Sequence, residues 1–213
     1  MAKSPNSTLP AGIFSYLEKV GDTVVPFAWQ AEKTTEGIVI KVEEEGKTFF
    51  NLCRPDGSTL KWQFRAEGKH DIIAERIDNT IAIQGTRFGE PIADTVQIDD
   101  RPWYQPLSFS LGNFLTSTEE KTSFWVIRAD KIDVVALTAE KVGEETLLVG
   151  EKEFLTHKIE VRAEGFYAKL WHATYWYRKS DNLFIRYQSV HGLPGTDATI
   201  VEILPASSSS NDT

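Results

Sequence analysis

The residues best suited to acid–base or metal chemistry are four histidines, His70, His157, His172 and His191. None of them stands at His-x-His or His-x-x-x-His spacing. Asp71 follows His70, but neighbours along a strand point to opposite faces and do not share an ion. A metal site would need ligands gathered from distant segments. His172, between Trp171 and Ala173, reads as a sheet histidine with a backbone partner. Asp99 and Asp100 are adjacent, whereas paired catalytic carboxylates converge on one substrate from about 5–10 Å apart, so they read as the approach to the following helix. Cys53 is the one cysteine, which excludes an internal disulfide and a multi-cysteine metal site. Flanked by Leu52 and Arg54, it reads as a small half-buried hydrophobe. No Gly-x-Ser-x-Gly elbow is present. Gly192-Leu193-Pro194-Gly195-Thr196 lacks the Lys and the helix of a phosphate cradle and reads as a turn. Glu43-Glu44-Glu45 reads as a solvated strand end. The sequence therefore offers no catalytic residue, no metal ligand and no cofactor site.

The elements that would position any site are mostly strands. Leu60, Trp62, Phe64 and Ala66 alternate with Lys61, Gln63, Arg65 and Glu67, the period of a half-buried strand. Arg54-Pro55-Asp56-Gly57-Ser58 precedes it, with Pro presetting φ and Gly accepting positive φ, so 47–54 and 59–65 form a hairpin. Further strands are expected at 24–31, 37–42, 72–76, 80–87, 95–98, 122–127, 133–140, 145–149, 154–163, 166–178, 183–190 and 198–204, punctuated by glycines at meander spacing. Ile13, Phe14 and Leu17 stand at helical spacing and suggest a short helix within 11–20. Tyr104, Leu107, Leu111, Phe114 and Leu115 recur at threes and fours and predict a helix over 104–115, regular from Pro106, with the acidic pair near its N-terminus.

The stretch 171–187 carries the most information. Ser180-Asp181 between two apolar runs makes a hairpin with Arg178 opposite Leu183 and Tyr175 opposite Arg186, a cation–π pair. That register puts His172, Thr174, Trp176, Arg178, Leu183, Ile185 and Tyr187 on one face, and Trp171, Ala173, Tyr175, Tyr177, Phe184, Arg186 and Val190 on the other. Large apolar residues occupy both faces, so both must be covered. Either both faces are core, or one lines a cavity for an apolar ligand.

Composition bounds the rest. The chain has 213 residues, with 41% hydrophobic and 25% charged, values of a globular domain. Twelve Phe, 6 Tyr and 6 Trp suit pleated, half-buried surfaces. A net charge of -8 excludes the basic footprint that nucleic acid requires and argues against docking on anionic membranes. No segment reaches the roughly 18–20 apolar residues of a membrane span. Residues 1–10 and 206–213 read as small, polar tails around a single domain at 11–205. Because 1–10 lacks an apolar stretch, the sequence as written implies the cytoplasm, or the periplasm if the N-terminus is trimmed.

From 95 to 204 the chain resembles an uncharacterised bacterial family of the domain-of-unknown-function class. The resemblance rests on Asp100-Arg101-Pro102-Trp103-Tyr104 leading into Leu107-Ser108-Phe109-Ser110-Leu111, on 166–181, and on Gly192-Leu193-Pro194-Gly195-Thr196. Such a group is similar to the half-barrel lipoprotein carrier proteins. The resemblance implies a large antiparallel sheet wrapped around a helix-stoppered apolar cavity. The expected fold is thus mainly β, a large curved antiparallel half-barrel of about a dozen strands with one or two short helices, one covering the concave face. The expected role is non-enzymatic binding or carriage of a hydrophobic small molecule or lipid. Trp62, Phe64, Phe109, Phe114, Trp125, Trp176, Ile185 and Tyr187 are the candidate lining, and the 104–115 helix the candidate lid. The alternatives are a protein-interaction scaffold, or an enzyme without a recognisable motif.

Overall fold

The computed structural model describes residues 12–165, 171–191 and 197–204. The expected tails at 1–10 and 206–213, the 192–196 turn and the stretch 166–170 lie outside the described residues, and of Val190 and His191 only the backbone is described. Eight strands form a first meander: β1 (Gly12–Val20), β2 (Thr23–Lys33), β3 (Ile38–Glu44), β4 (Lys47–Cys53), β5 (Thr59–Ala66), β6 (His70–Ile77), β7 (Thr80–Arg87) and β8 (Glu90–Gln97). A link bearing helix α1 (Leu107–Phe114) leads to a second meander: β9 (Lys121–Arg128), β10 (Asp133–Val149), β11 (Lys152–Ala163), β12 (Trp171–Arg178), β13 (Phe184–His191) and β14 (Thr199–Ile203). β14 pairs antiparallel with β1, which joins the two meanders into one 14-stranded sheet with β8 and β9 as its edges. The sheet is mainly antiparallel β, open rather than closed, with one α-helix among the described residues: a half-barrel.

Local chemistry explains most of these elements. At the β4–β5 turn Gly57 takes φ 86°, and Asp56 Oδ1 accepts from the Ser58 backbone N–H at 2.8 Å. This is the Asx geometry that the Pro-Asp-Gly sequence favours. The segment 11–20 is corrected from helix to strand. Gly12 to Val20 pairs residue for residue with Ala31 to Thr23, because Phe14, Tyr16 and Glu18 also alternate at the strand period. The runs at 133–140 and 145–149 are one strand, β10, with a register shift between Lys141 and Gly143 where Gly143 adopts φ 127°. The β12–β13 hairpin keeps Arg178 opposite Leu183, through an Arg178 N–H to Leu183 carbonyl bond of 2.8 Å. A shift between Trp176 and Tyr177 then sets Trp176, not Tyr175, opposite Arg186. The expected cation–π pair is accordingly Arg186 on Trp176, 5.6 Å from the ring centroid.

Buried side chains form two clusters. The larger joins Tyr16, Trp29 and Ile40 to α1 and to the inward faces of β9–β14. The smaller joins Trp62, Phe64, Ile72 and Ile83 of β5–β7 to Trp103 and Ile127. Strand β9 is clothed on both faces: Phe124 and Val126 belong to the first cluster, and Trp125 and Ile127 pack on the second. Its free edge is also covered. Trp125 donates its backbone N–H to the Pro102 carbonyl and accepts from the Tyr104 N–H, both at 2.9 Å, while Thr59 N–H reaches the Trp103 carbonyl at 2.7 Å. The link thus lies as a short parallel strand between β9 and the start of β5, which blunts one edge of the open sheet.

Candidate functional site

Antiparallel partners directly opposite one another share a face, so the pairings define rows across the concave surface. One row is Ile38, Cys53, Thr59, and the next Ile40 and Asn51, opposite Trp62. A third runs Phe14, Trp29, Val42, Phe49, Phe64, and a fourth Tyr16, Phe27, Glu44, Lys47. A fifth crosses the junction of the meanders as Tyr175, Tyr187, Val201, Glu18.

Burial is graded along these rows. On β2, β3 and β4 the inward residues pass from fully buried (Ala31, Ile40, Cys53) to half-buried (Phe27, Val42, Phe49) and then to charged (Glu44, Lys47). The buried end is the one that α1 stoppers. Ser110 Oγ donates to the Gly57 carbonyl at 2.7 Å, Tyr177 OH to the Leu107 carbonyl at 2.7 Å, and Trp29 Nε1 to Ser108 Oγ at 3.0 Å. The helix is therefore held on three sides and acts as a fixed plug. The expected acidic start is absent: no acidic residue occupies its first turn. Asp99 instead accepts from Arg101 Nε at 2.9 Å and from Trp125 Nε1 at 2.8 Å, and Arg101 reaches Glu164 at 2.9 Å. These bonds hold the Asp99 carboxyl well below the usual carboxylate range. Every member of this clasp is already engaged, so it fastens the link to β9 and offers nothing to a substrate.

At the opposite, open end the concave surface is aromatic. Phe14 meets Trp29 at 5.7 Å between centroids, Tyr16 stacks on Phe27 at 5.3 Å, and Phe49 stacks on Phe64 at 4.7 Å. Its rim carries Glu18, whose acid is pushed upward by burial and by Glu44, and the Glu44–Lys47 pair at 2.6 Å. Glu44, expected to be solvated, has a side chain only 16% exposed because it turns inward.

The eight candidate lining residues separate into groups. Phe109, Phe114 and Ile185 lie in the larger cluster and Trp62 and Phe64 in the smaller, all fully packed. Tyr187 is half-buried at the open end, 4.9 Å from the Tyr175 ring. Trp125 faces the smaller cluster, with Arg101 stacked 4.3 Å from its ring centroid. Trp176 points away from Tyr175 and Tyr177, to the outer face among Lys158 and Arg186. Phe14, Phe27, Val42 and Phe49 escaped the sequence reading. For Phe14 the signal that could have found it was the alternation through Tyr16 and Glu18.

One further group lies on this face. Asn51 is 3% exposed, and its Oδ1 has no hydrogen-bond partner. Leaving a buried amide oxygen unpaired costs about 1–3 kcal/mol.

Other buried polar atoms without a hydrogen-bond partner are His70 Nδ1, Arg87 Nε, Arg186 Nε and Ser189 Oγ. His70 stacks on Phe64 at 5.4 Å, and burial lowers its pKa. His157 lies 3.4 Å from Glu144 and is likewise lowered by burial. His172 is exposed on the outer face. Burial pushes the Cys53 thiol up to about 12. Among the described residues no three His, Cys, Asp or Glu gather as metal ligands. A cleft of about 350 Å³ beside the C-terminal end of α1 is lined by Tyr104 and Phe114 together with Asp56, Asn113 and Glu119. A second, of about 400 Å³, lies between hairpin tips at 152–155 and 178–180. No helix among the described residues is long and apolar enough to cross a membrane.

The half-barrel has counterparts among solved structures. A β-barrel-like protein of the domain of unknown function DUF1849 from Brucella abortus superposes with a TM-score of 0.57 at 8% identity, over 90% of this chain and 94% of that one. What the two share is a fold. The hypothetical lipoprotein YmcC from Escherichia coli K12 aligns at a TM-score of 0.41 and 12% identity, over 93% of this chain and 86% of that one. No protein-family model and no curated protein matches the sequence.

Proposed function

We propose that the protein binds an apolar small molecule or lipid, without catalysis, in the open end of its half-barrel. The observation that carries this reading is the burial gradient on the concave face. Phe27, Val42 and Phe49 point inward yet stay partly exposed, on a surface whose other end is solid core. A folded chain covers such rings unless something else is to cover them. Phe14, Phe27, Val42, Phe49 and Tyr187 form the walls. Trp62, Phe64 and Ile185 form the packed floor, and Phe109 and Phe114 belong to the plug behind it. Trp125 and Trp176 have structural roles elsewhere. Each methylene buried there contributes about 0.8 kcal/mol before the losses on association, so useful affinity needs no polar motif.

The test is titration with the uncharged dye Nile red, combined with native mass spectrometry of the purified protein. Saturable one-to-one binding is expected. Phe27→Ala and Phe49→Ala should each weaken it by roughly 10-fold, and Trp176→Ala should leave it unchanged. A titration that never saturates, or equal losses in all three variants, removes the reading.

A further inference from the structure

We infer that the ligand of this face is uncharged and leads with a hydrogen-bonding end, an alcohol or amide, which Asn51 receives; an anionic fatty acid is the wrong chemistry. This inference rests on the binding role proposed above and adds the class of ligand.

Asn51 sits where the two clusters meet. Its partner across β3 is Ile40, a member of the larger cluster, and its partner across β5 is Trp62, a member of the smaller. Both partners are buried to 1% exposure or less, and Asn51 itself is 3% exposed. The Oδ1 atom is buried without a donor, although native proteins satisfy nearly all such groups. In a strand that otherwise presents Phe49 and Cys53 to the same face, an apolar residue would fill the position without that penalty. A polar residue kept there has a use for its acceptor.

The charge of the surroundings sets the class. The inward positions beside Asn51 along its own strand are Phe49 and Cys53, and its cross-strand partners are Ile40 and Trp62, so no cation adjoins it on this face. Lys47 is the nearest inward cation along the strand, and Glu44 holds it at 2.6 Å. The row beyond is mixed in charge: Glu44 and Lys47 continue across Ala66 to His70 and Arg87, with Glu18 on the neighbouring row. A carboxylate reaching Asn51 would leave water for a neutral amide whose neighbours on this face carry no cation, which is costly without a paired charge. A hydroxyl or amide N–H pays no such charge penalty and supplies the missing donor.

Affinities for 1-decanol, decanoate and 1-chlorodecane, measured by displacement of Nile red, decide the matter. Decanol is expected to bind at least 10-fold more tightly than decanoate at pH 8. In Asn51→Leu it should lose roughly 10-fold, while chlorodecane is held as well as before. Asn51→Ala, measured in parallel, guards against overpacking by the longer side chain. A merely structural Asn51 would instead give raised melting temperatures in Asn51→Leu with decanol affinity unchanged, and that overturns the inference. Decanoate binding as tightly as decanol overturns it too, while leaving the binding role intact. If Nile red itself does not bind, both readings fall together.

Discussion

The two ends of the half-barrel are built from the same strands yet treat their inward side chains in opposite ways. At the stoppered end Ile40, Cys53 and Leu111 are fully buried, and the end of the concave face is filled by a helix that the β4–β5 and β12–β13 turns clamp. Gly57 and Gly112 make the clamping possible. A Cβ on Gly57 would come within 3.0 Å of Ser110 Cα, and one on Gly112 within 3.1 Å of the Asn182 carbonyl oxygen. At the open end the same strands present Phe27, Val42 and Phe49 partly exposed, with no helix over them among the described residues. The difference shows that curvature alone does not make a core; an inserted element must supply the missing surface. Where that element reaches, the inward side chains are tightly packed, and beyond it the concave face is only partly buried.

Thiol labelling gives the sharpest contrast between the ends. Cys53 is 0% exposed and its pKa is pushed up to about 12, so both access and ionisation protect it. Labelling of the native protein by a disulfide reagent at pH 8 should run roughly 1,000-fold or more slower than labelling of the unfolded chain. A Val42→Cys substitution made in a Cys53→Ser background moves the thiol two rows toward the open end and should react much faster. Equal rates for the two thiols would abolish the distinction between the ends.

Stability should follow the same division with smaller effects. Leu111→Ala removes a fully buried side chain from the plug and should cost about 2–5 kcal/mol in urea unfolding. Phe27→Ala removes a ring that is already partly exposed and should cost about 1–2 kcal/mol despite the larger side chain. A Phe27→Ala penalty matching that of Leu111→Ala would mean that the open end is core after all.

How far the sequence reveals these ends depends on the kind of signal each uses. The helix was legible because Leu107, Leu111 and Phe114 recur at helical spacing, and the β4–β5 hairpin because Pro55, Asp56 and Gly57 each have a reason to turn. The open end was not legible. Ile13, Phe14 and Leu17 fit a helix as well as a strand, and only the long-range pairing with β2 and β14 decides between them. The slip at Trp176 and Tyr177 comes from the bulge two residues beyond the turn, which no alternation pattern encodes, and it changed the partner of Arg186 and the face mates of Tyr175. Asn51, between Phe50 and Leu52, looks like any outward polar position until its partners are known to be Ile40 and Trp62.

The smallest effect concerns the fastening of the link that carries the plug. Asp99 accepts from Arg101 and Trp125, and these hydrogen bonds, Arg101 first, keep its carboxyl below its ordinary range. A carboxyl depressed in the folded state stabilises the fold at pH values above its unfolded pKa of about 3.9. That contribution fades as the pH drops through the lower folded value. Asp99 is exposed, so solvent screening keeps the effect modest. Asp99→Asn should therefore lower the melting temperature by a few degrees at most between pH 5 and 7, less than Leu111→Ala does. The wild type and Asp99→Asn should converge as the pH is taken below about 3. If the gap between them stays constant down to pH 2, the charge on Asp99 is not what fastens the link. The hydrogen-bonding shape of the side chain would then be enough to seat the helix.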